Sequence, residues 1–317
     1  MTGYINLADT RILTGDGLDT FVIDEIVESD FLLSKIPFHA AATTTGMGSA
    51  YIYNYPRLIS TPHRDHPPQR FDVECKNLGG AFTIDRVLAR NPAGVSLKFK
   101  NLALAARTAF SDAVINGLSE ALAGSSTELD ANSDDGLAWD WSDPVNDAEN
   151  IVANLKHLAN LVDPKENVYI LLNRKTRAKV TTAARKLGYF EQTKDDSGRT
   201  ISTFNGIPLV DLGSKQDSTT AIVGETELAD AANDDYIASD IYVVRFGEDG
   251  FHAVSPADGH IVRTYLPDMK TGGNVNKFGE VEMFATFALK ATKAAAVARS
   301  VKIGVPSTHP LSRCLRF

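Results

Sequence analysis

The sequence NLALAARTAFSDAVINGLSEAL at Asn101–Leu122 contains the clearest helical pattern of the chain. Apolar and small side chains recur there every three or four residues, which predicts a helix over Leu102–Leu122 that ends before Gly124. The pattern assigns Ala109 to the apolar face and Ser111 to the polar face. At ~1.5 Å per residue, such a helix is a rod about 30 Å long. The residues that we expect to anchor its buried face are Leu102, Phe110, Val114 and Leu118.

The segment before residue 50 has the character of an extended arm. Short apolar groups alternate with Asp and Gly, and only Thr20–Lys35 has apolar residues, among them Phe21 and Phe31, spaced for one helical face. Such a segment cannot bury itself alone. It is therefore either a frayed terminus or an arm that a neighbouring subunit stabilises.

Residues 51–90 have the pattern of a long hairpin. Aromatic and apolar residues alternate at Tyr51–Tyr55 and again at Phe71–Cys75, and the polar sequence STPHRDHPPQR at 60–70 separates them. An isolated hairpin is marginally stable, so one of this length needs a partner surface. The tip residues expected to contact a neighbouring subunit are His63, Arg64, His66 and Arg70.

The part of the chain after residue 147 alternates between helices and strands, which predicts a mixed α/β unit. A basic helix at Arg174–Leu187, which Gly188 closes, follows the buried strand Val168–Leu172. Before this unit, residues 125–150 are acidic and contain no Lys or Arg. The other predicted elements are a helix from Asp147, a hairpin around Lys194–Thr200, and strands at Ile207–Leu212, Ile241–Phe246, Val281–Leu289 and Val297–Ile303.

The composition excludes several classes of protein. The chain has 317 residues, of which 43% are apolar and 23% charged, as in ordinary globular proteins. Two cysteines, Cys75 and Cys314, cannot make a disulfide scaffold or a multi-cysteine zinc site. The sequence contains neither a signal peptide nor an apolar run of membrane-spanning length. The net charge of −8 is opposite in sign to that of proteins that grip DNA phosphates.

The sequence contains few residue patterns typical of catalysis. His63, Asp65 and His66 have metal-ligand character, but an exposed polar turn explains them better; a metal-dependent hydrolase is the remote alternative. Trp139 and Trp141 are more typical of a packed anchor than of a base-stacking platform. The basic helix could meet phosphates or be a solvated face paired with acidic neighbours. We therefore expect no enzyme and no cofactor.

The order of these elements resembles that of the HK97-fold major capsid proteins of tailed double-stranded DNA bacteriophages. Five segments carry the resemblance, which covers roughly residues 15–303. In that family they correspond to the returning arm of the E-loop, the spine helix, an axial-domain strand that leads into a helix, a second axial strand and the last peripheral strands. These segments are Asn77–Val87, Asn101–Leu122, Tyr169–Thr176, Phe204–Val210, and Val281–Leu289 with Lys293–Val297.

The resemblance implies an α+β, HK97-like capsid fold. Its expected parts are an N-terminal arm (1–50), an E-loop hairpin (51–92), the spine helix with part of the peripheral domain (93–150), a mixed α/β axial domain (151–270), closing peripheral strands (271–303) and a tail (304–317).

The same resemblance implies a structural protein of the virion. Hexamers and pentamers of the chain would assemble, in the cytoplasm of the host bacterium, into an icosahedral head shell around the genome. The implied partners are other copies of the chain, a scaffolding protein, a portal, a decoration protein and double-stranded DNA contacted without sequence specificity, with no membrane. The hairpin near Lys194–Thr200, or the acidic loop with Trp139 and Trp141, would approach the symmetry axes. The residues expected at contacts between subunits are Phe21, Phe31, His63, Arg64, His66, Arg70, Asp85, Arg86, Trp139 and Trp141.

Two departures from the family refine these expectations. Many relatives begin with a cleaved scaffolding segment, whereas here the arm starts almost at Met1, which favours a separate scaffolding protein and no proteolytic maturation of this chain. The namesake phage cross-links an E-loop Lys to an Asn of a neighbour, but no Lys lies between Tyr51 and Cys75, which favours non-covalent shells. The alternative within the fold is an encapsulin, a shell around cargo enzymes. It would need a cargo-binding N-terminal helix, for which Tyr4–Leu18 contains too many Gly and Asp residues.

Overall fold

A computed structural model describes the backbone of most of the chain. The residues that it describes are 5–6, 34–40, 43–45, 49–54, 69–74, 76–85, 92–130, 139–163, 166–194, 200–215, 219–228, 236–247, 250–255, 262–265, 276–285, 287–289 and 293–304.

Within these ranges the elements follow one another along the chain as three helices and eighteen strands. The helices are α1 (Pro92–Leu122), α2 (Ala148–Asn160) and α3 (Arg174–Leu187). The strands are β1 (Ile5–Asn6), β2 (Pro37–Ala40), β3 (Thr43–Thr45), β4 (Ser49–Asn54), β5 (Gln69–Glu74), β6 (Lys76–Asp85), β7 (Glu128–Asp130), β8 (Val168–Leu172), β9 (Phe190–Lys194), β10 (Thr200–Phe204), β11 (Ile207–Asp211), β12 (Glu225–Leu228), β13 (Tyr236–Arg245), β14 (Phe251–Ser255), β15 (Val262–Tyr265), β16 (Asn276–Ala285), β17 (Phe287–Leu289) and β18 (Ala295–Gly304).

The chain divides into two compact units. The first comprises residues 1–113 and 251–288, and the second comprises residues 114–250 and 289–317. The boundary falls inside α1, so this helix contributes residues to both units.

The first unit contains three small sheets. Their strand orders are β1-β2-β14-β17, β15-β16-β6 and β3-β4-β5. The arm strand β2 pairs in parallel with β14, and the side chains of Ile36 and Phe38 beside it are buried. The ring of Phe38 lies 6.0 Å from that of Phe110 on α1. Part of the expected arm is therefore packed within its own chain.

The second unit combines helices with a large sheet. Its eight-stranded sheet has the order β7-β18-β13-β8-β11-β10-β9, with β12 added beside β13. The strand β8 pairs in parallel with β11 and antiparallel with β13, and all but its first residue are buried. Because α2 and α3 pack on each other and both contact β18, their apolar faces share one core with the sheet.

Local signals set the bounds of α3 as the sequence predicts. Asn173 caps its start, since the side-chain oxygen accepts a hydrogen bond from the backbone N–H of Thr176. Gly188 ends it in the left-handed conformation, with a φ of 77°. Both residues stand where the predicted helix begins and ends.

The helix α1 differs from its prediction in length and in phase. It begins at Pro92, ten residues before Leu102, because proline fits the first turn of a helix and the residues that follow continue it. Ala109 is exposed and Ser111 is fully buried, the reverse of the prediction. Alanine is small enough to suit either face, so an alanine-rich stripe places the buried face poorly.

The closing strands also group differently from the expected ranges. The strand β16 pairs with β6 over ten residue pairs in the first unit, whereas β18 pairs with β13 in the second. Strands β14 and β15, expected in the axial domain, belong to the first unit. Ala294, Ala295 and Ala296, before and at the start of β18, are all fully buried.

Candidate assembly surfaces

Most of the predicted contact residues lie outside the described residues. These are Phe21, Phe31, His63, Arg64, His66 and Arg86, and the proposed metal ligand Asp65 lies outside as well. Arg70 is in β5, where its backbone pairs with Tyr53. Asp85 ends β6, half-buried and opposite Asn276.

The hairpin is present as an antiparallel pair. Six residues of β4 pair with six of β5, from Ser49 opposite Glu74 to Asn54 opposite Gln69, and β3 extends this sheet on one side. The next strand, β6, pairs with β16 instead of continuing the hairpin. The sequence predicts the pairing of β4 with β5 from local alternation, while the partner of β6 is nearly two hundred residues away in sequence.

The middle of β6 packs on α1. The rings of Phe82 and the fully buried Phe99 meet edge to face at 4.9 Å. At Gly80 a Cβ atom would lie 2.6 Å from Leu102 Cδ1, so the absence of a side chain is what permits this approach. Leu102 is accordingly half-buried, while Phe110, Val114 and Leu118 are fully buried.

The expectation that Trp139 and Trp141 contact a neighbour is wrong. Trp139 is 4% exposed and Trp141 is fully buried, with their rings stacked 6.1 Å apart. Backbone hydrogen bonds join both residues to Lys302 of β18. These side chains belong to the core of the second unit, because apolar area of this size is worth more to the fold when it is removed from water.

A polar cluster that the sequence analysis did not identify lies at Arg299 of β18. One guanidinium group binds Glu128 of β7, Asp240 of β13 (3.3 Å) and both the hydroxyl and the carbonyl oxygen of Ser119 on α1 (2.9 Å each). Asp240 also accepts a hydrogen bond from the backbone N–H of Ser300, whose φ is 58°. The cluster therefore ties three strands and a helix of the second unit together.

The protonation behaviour of the cluster follows from its geometry. Burial would raise the pKa of Glu128, but the hydrogen bonds from Arg299 and from the backbone of Gly124 outweigh that effect and lower it. Burial, together with the nearby charge of Asp240, raises the pKa of Tyr242 to about 12. Glu128 is thus ionised and Tyr242 neutral at physiological pH. The one sign of this cluster in the sequence is Arg299 itself, which stands at an alternating position between Val297 and Val301.

The strand β9 forms one end of the eight-stranded sheet. It pairs with β10 from Phe190 opposite Phe204 to Lys194 opposite Thr200, which matches the predicted hairpin around Lys194–Thr200. Its last four side chains are exposed. A terminal strand has one row of backbone N–H and C=O groups that another chain can pair with.

The basic helix α3 has two differently occupied faces. Its lysines engage their own chain: Lys175 forms an ion pair with Glu225 at 2.6 Å, and Lys179 and Lys186 donate to the carbonyl oxygens of Ser142 and Val145. A second face lines a shallow groove of about 370 Å³, which we name the arginine groove. Its lining residues are Arg174, Arg177, Ala178, Thr181, Thr182, Arg185 and Ser202.

Among the described residues, no three His, Cys, Asp or Glu side chains are close enough together to hold a metal ion. In the same part of the chain, every helix is too short or too polar to cross a membrane. The arrangement consists of packing surfaces, a terminal strand and charged patches, which suits association with other chains.

No family model and no curated protein matches the sequence. Solved structures match it in fold: the encapsulin in the holo-SrpI complex of Synechococcus elongatus has 14% identity and a TM-score of 0.51, with 86% of this chain and 88% of that one covered. A virus-like particle from Pyrococcus furiosus has 12% identity and a TM-score of 0.49, with 89% and 97% covered. The capsid of the cyanophage P-SCSP1u has 13% identity and a TM-score of 0.48, with 84% and 86% covered. The match at a TM-score of 0.51 confirms the fold that the sequence resembles: the chain has the HK97-like capsid fold.

Proposed function

We propose that this chain is the structural subunit of an icosahedral head shell, assembled from hexamers and pentamers, that encloses the double-stranded DNA genome of a tailed bacteriophage. The observation that carries the proposal is the fold match to the encapsulin at a TM-score of 0.51 over 86% of the chain. The ordered phage-capsid motifs of the sequence favour the phage head over other shells. The proposal assigns no catalytic activity to the chain.

Features of each unit support association between copies. The small sheet β3-β4-β5 and the terminal strand β9 are elements that a neighbouring chain can extend. Strand pairing of this kind adds many modest contacts for each subunit. A closed shell makes such contacts collectively strong, because each subunit is held by several neighbours at once.

Negative-stain electron microscopy of the purified protein tests the proposal. We expect uniform icosahedral shells, or free hexamers and pentamers, from the protein expressed alone or with its co-encoded proteins. A monodisperse monomer or dimer in both preparations would contradict a shell function.

The second candidate is an encapsulin-type nanocompartment, which the same fold match favours. The contents of shells purified from the native host distinguish a phage head from an encapsulin-type compartment. A phage head contains double-stranded DNA that becomes nuclease-sensitive only after the shell is opened. An encapsulin-type compartment contains a cargo protein and no genome. Shells with such contents would overturn the proposal of a phage head.

A further inference from the structure

We propose that the arginine groove of one copy receives an acidic corner, Asp140–Glu149, of a second copy in the same capsomer ring. The inference rests on the proposed shell function and names the charged contact within it. The acidic corner has the sequence DWSDPVNDAE, with four carboxylates and no Lys or Arg.

The groove is built to bind carboxylates. Arg174 and Arg185 are exposed, while Arg177 is half-buried and donates to Ser202 Oγ at 3.4 Å. Among the residues that the structure describes, none with a carboxylate lines the groove. Guanidinium groups bind carboxylates through two parallel hydrogen bonds, and the hydroxyl group of Thr181 adds a further donor.

The position of two of these arginines does not serve the helix. Arg174 and Arg177 lie in the first turn of α3, which contains no acidic residue. The positive end of a helix dipole disfavours cations there, so these side chains oppose the stability of α3. A partner of opposite charge would explain why arginine stands at both positions.

The acidic corner is presented outward on the same unit. Asp143 and Glu149 are exposed, and so is Val145, at 52%. Hydrogen bonds from the backbone N–H groups of Asn146 and Val145 lower the pKa of Asp143 and keep it ionised. Lys179 and Lys186 hold the backbone of the corner against α3, on a face other than the one that lines the groove.

This arrangement favours another copy over the chain's own corner. The groove and the corner lie on different faces of α3, and a contact between two different patches is head-to-tail, which forms a ring where the rotation between copies closes. Each copy also has a net charge of −8, so copies repel one another unless local charges are complementary where they touch.

A charge swap tests the contact. The variant Arg174→Glu/Arg177→Glu should lower the assembled fraction on the order of tenfold, measured by sucrose-gradient sedimentation and electron microscopy. Its melting temperature should stay the same or rise, because glutamate suits the first turn of a helix. The variant Asp147→Arg/Glu149→Arg should show the same loss of assembly. All four changes in one chain should restore shells. The matched control, Lys98→Glu/Lys293→Glu, reverses two exposed charges elsewhere and should assemble normally.

Three results would overturn the inference. Normal assembly of Arg174→Glu/Arg177→Glu would exclude a role of the groove in assembly. If the variant with all four changes failed to restore shells, the acidic corner would be excluded as the occupant of the groove. If Arg174→Glu/Arg177→Glu lost binding to a short double-stranded DNA in a gel shift while its assembly stayed unchanged, the groove would bind phosphates and not the acidic corner. If the wild-type protein forms no shell or ring, the proposed function itself fails.

Discussion

Arg299 is the centre of the polar cluster in the second unit. It meets Glu128 and Asp240, and the side chains of all three are between 20% and 29% exposed. Replacement by methionine keeps the apolar stem and leaves two carboxylates without their cation. We expect the free energy of unfolding of the unassembled chain to fall by about 2 kcal/mol, less than for a fully buried pair because water screens the remaining charges.

Urea unfolding measures this change, with Lys98→Met as the control at an exposed lysine. The control should change the free energy of unfolding by less than about 0.5 kcal/mol. An Arg299→Met value inside that same range would mean that the cluster contributes nothing to the fold.

Glu128 predicts a specific acid sensitivity. Its pKa is lowered in the folded chain, so the unfolded chain binds the proton first as the pH falls. The stabilisation is complete above the ordinary glutamate pKa of about 4.3 and is lost as the pH falls through the lower, folded value. Glu128→Gln should therefore flatten the acid limb of stability, measured as urea midpoints against pH. An unchanged limb would contradict the ion pair.

At this scale the sequence predicts some positions and not others. The spacing of Phe110, Val114 and Leu118 is local, and these residues are buried. The environment of Arg299 depends on Glu128 and Asp240, which are far from it in sequence and have no spacing relation to it. Periodicity marks a charged residue at an inward position but cannot name its partners.

At the scale of elements, α3 is fixed to the sheet through its cap. Asn173 is 1% exposed; its oxygen accepts from Thr176 N at 2.8 Å and its amide donates to Ser239 Oγ of β13 at 2.8 Å. Asn173→Ala removes the cap and leaves a buried hydroxyl with one partner fewer. We expect a loss of about 2 kcal/mol in the free energy of unfolding, from roughly 1 kcal/mol for each interaction.

Thermal and urea unfolding check this value against Asn150→Ala, an exposed position in α2 where alanine should be neutral or slightly stabilising. If both variants unfold alike, the cap and its bond to β13 do not hold α3.

The sequence predicts well those elements whose ends are marked by capping or terminating residues. Asn173 and Gly188 delimit α3, and Val168–Leu172 is predicted with the bounds that β8 has. Strand partners are not local: β6 pairs with β16 and β18 with β13, and alternation alone is compatible with either unit. The division into two units therefore differs from the expected ranges at 251–303, where the chain passes from one unit to the other.

At the scale of the whole molecule, the resemblance to a capsid family and the fold match agree, but we do not expect the covalent bond between subunits that the family's namesake forms. The cross-link of the namesake phage uses a lysine of the E-loop, and the sequence has none between Tyr51 and Cys75. Lys76 begins β6, where its backbone pairs with Ala285 inside the chain's own sheet.

We therefore expect purified shells to dissociate fully in boiling denaturant and to migrate as one band near 34.3 kDa on a denaturing gel. Shells held only by strand pairing and charged contacts have no bond that survives unfolding of the subunit. A ladder of multimers would contradict this expectation. If that ladder disappeared in Lys76→Arg, which keeps the charge but removes the primary amine, Lys76 would be the cross-linking residue. A ladder that persisted in that variant would locate the bond elsewhere in the chain.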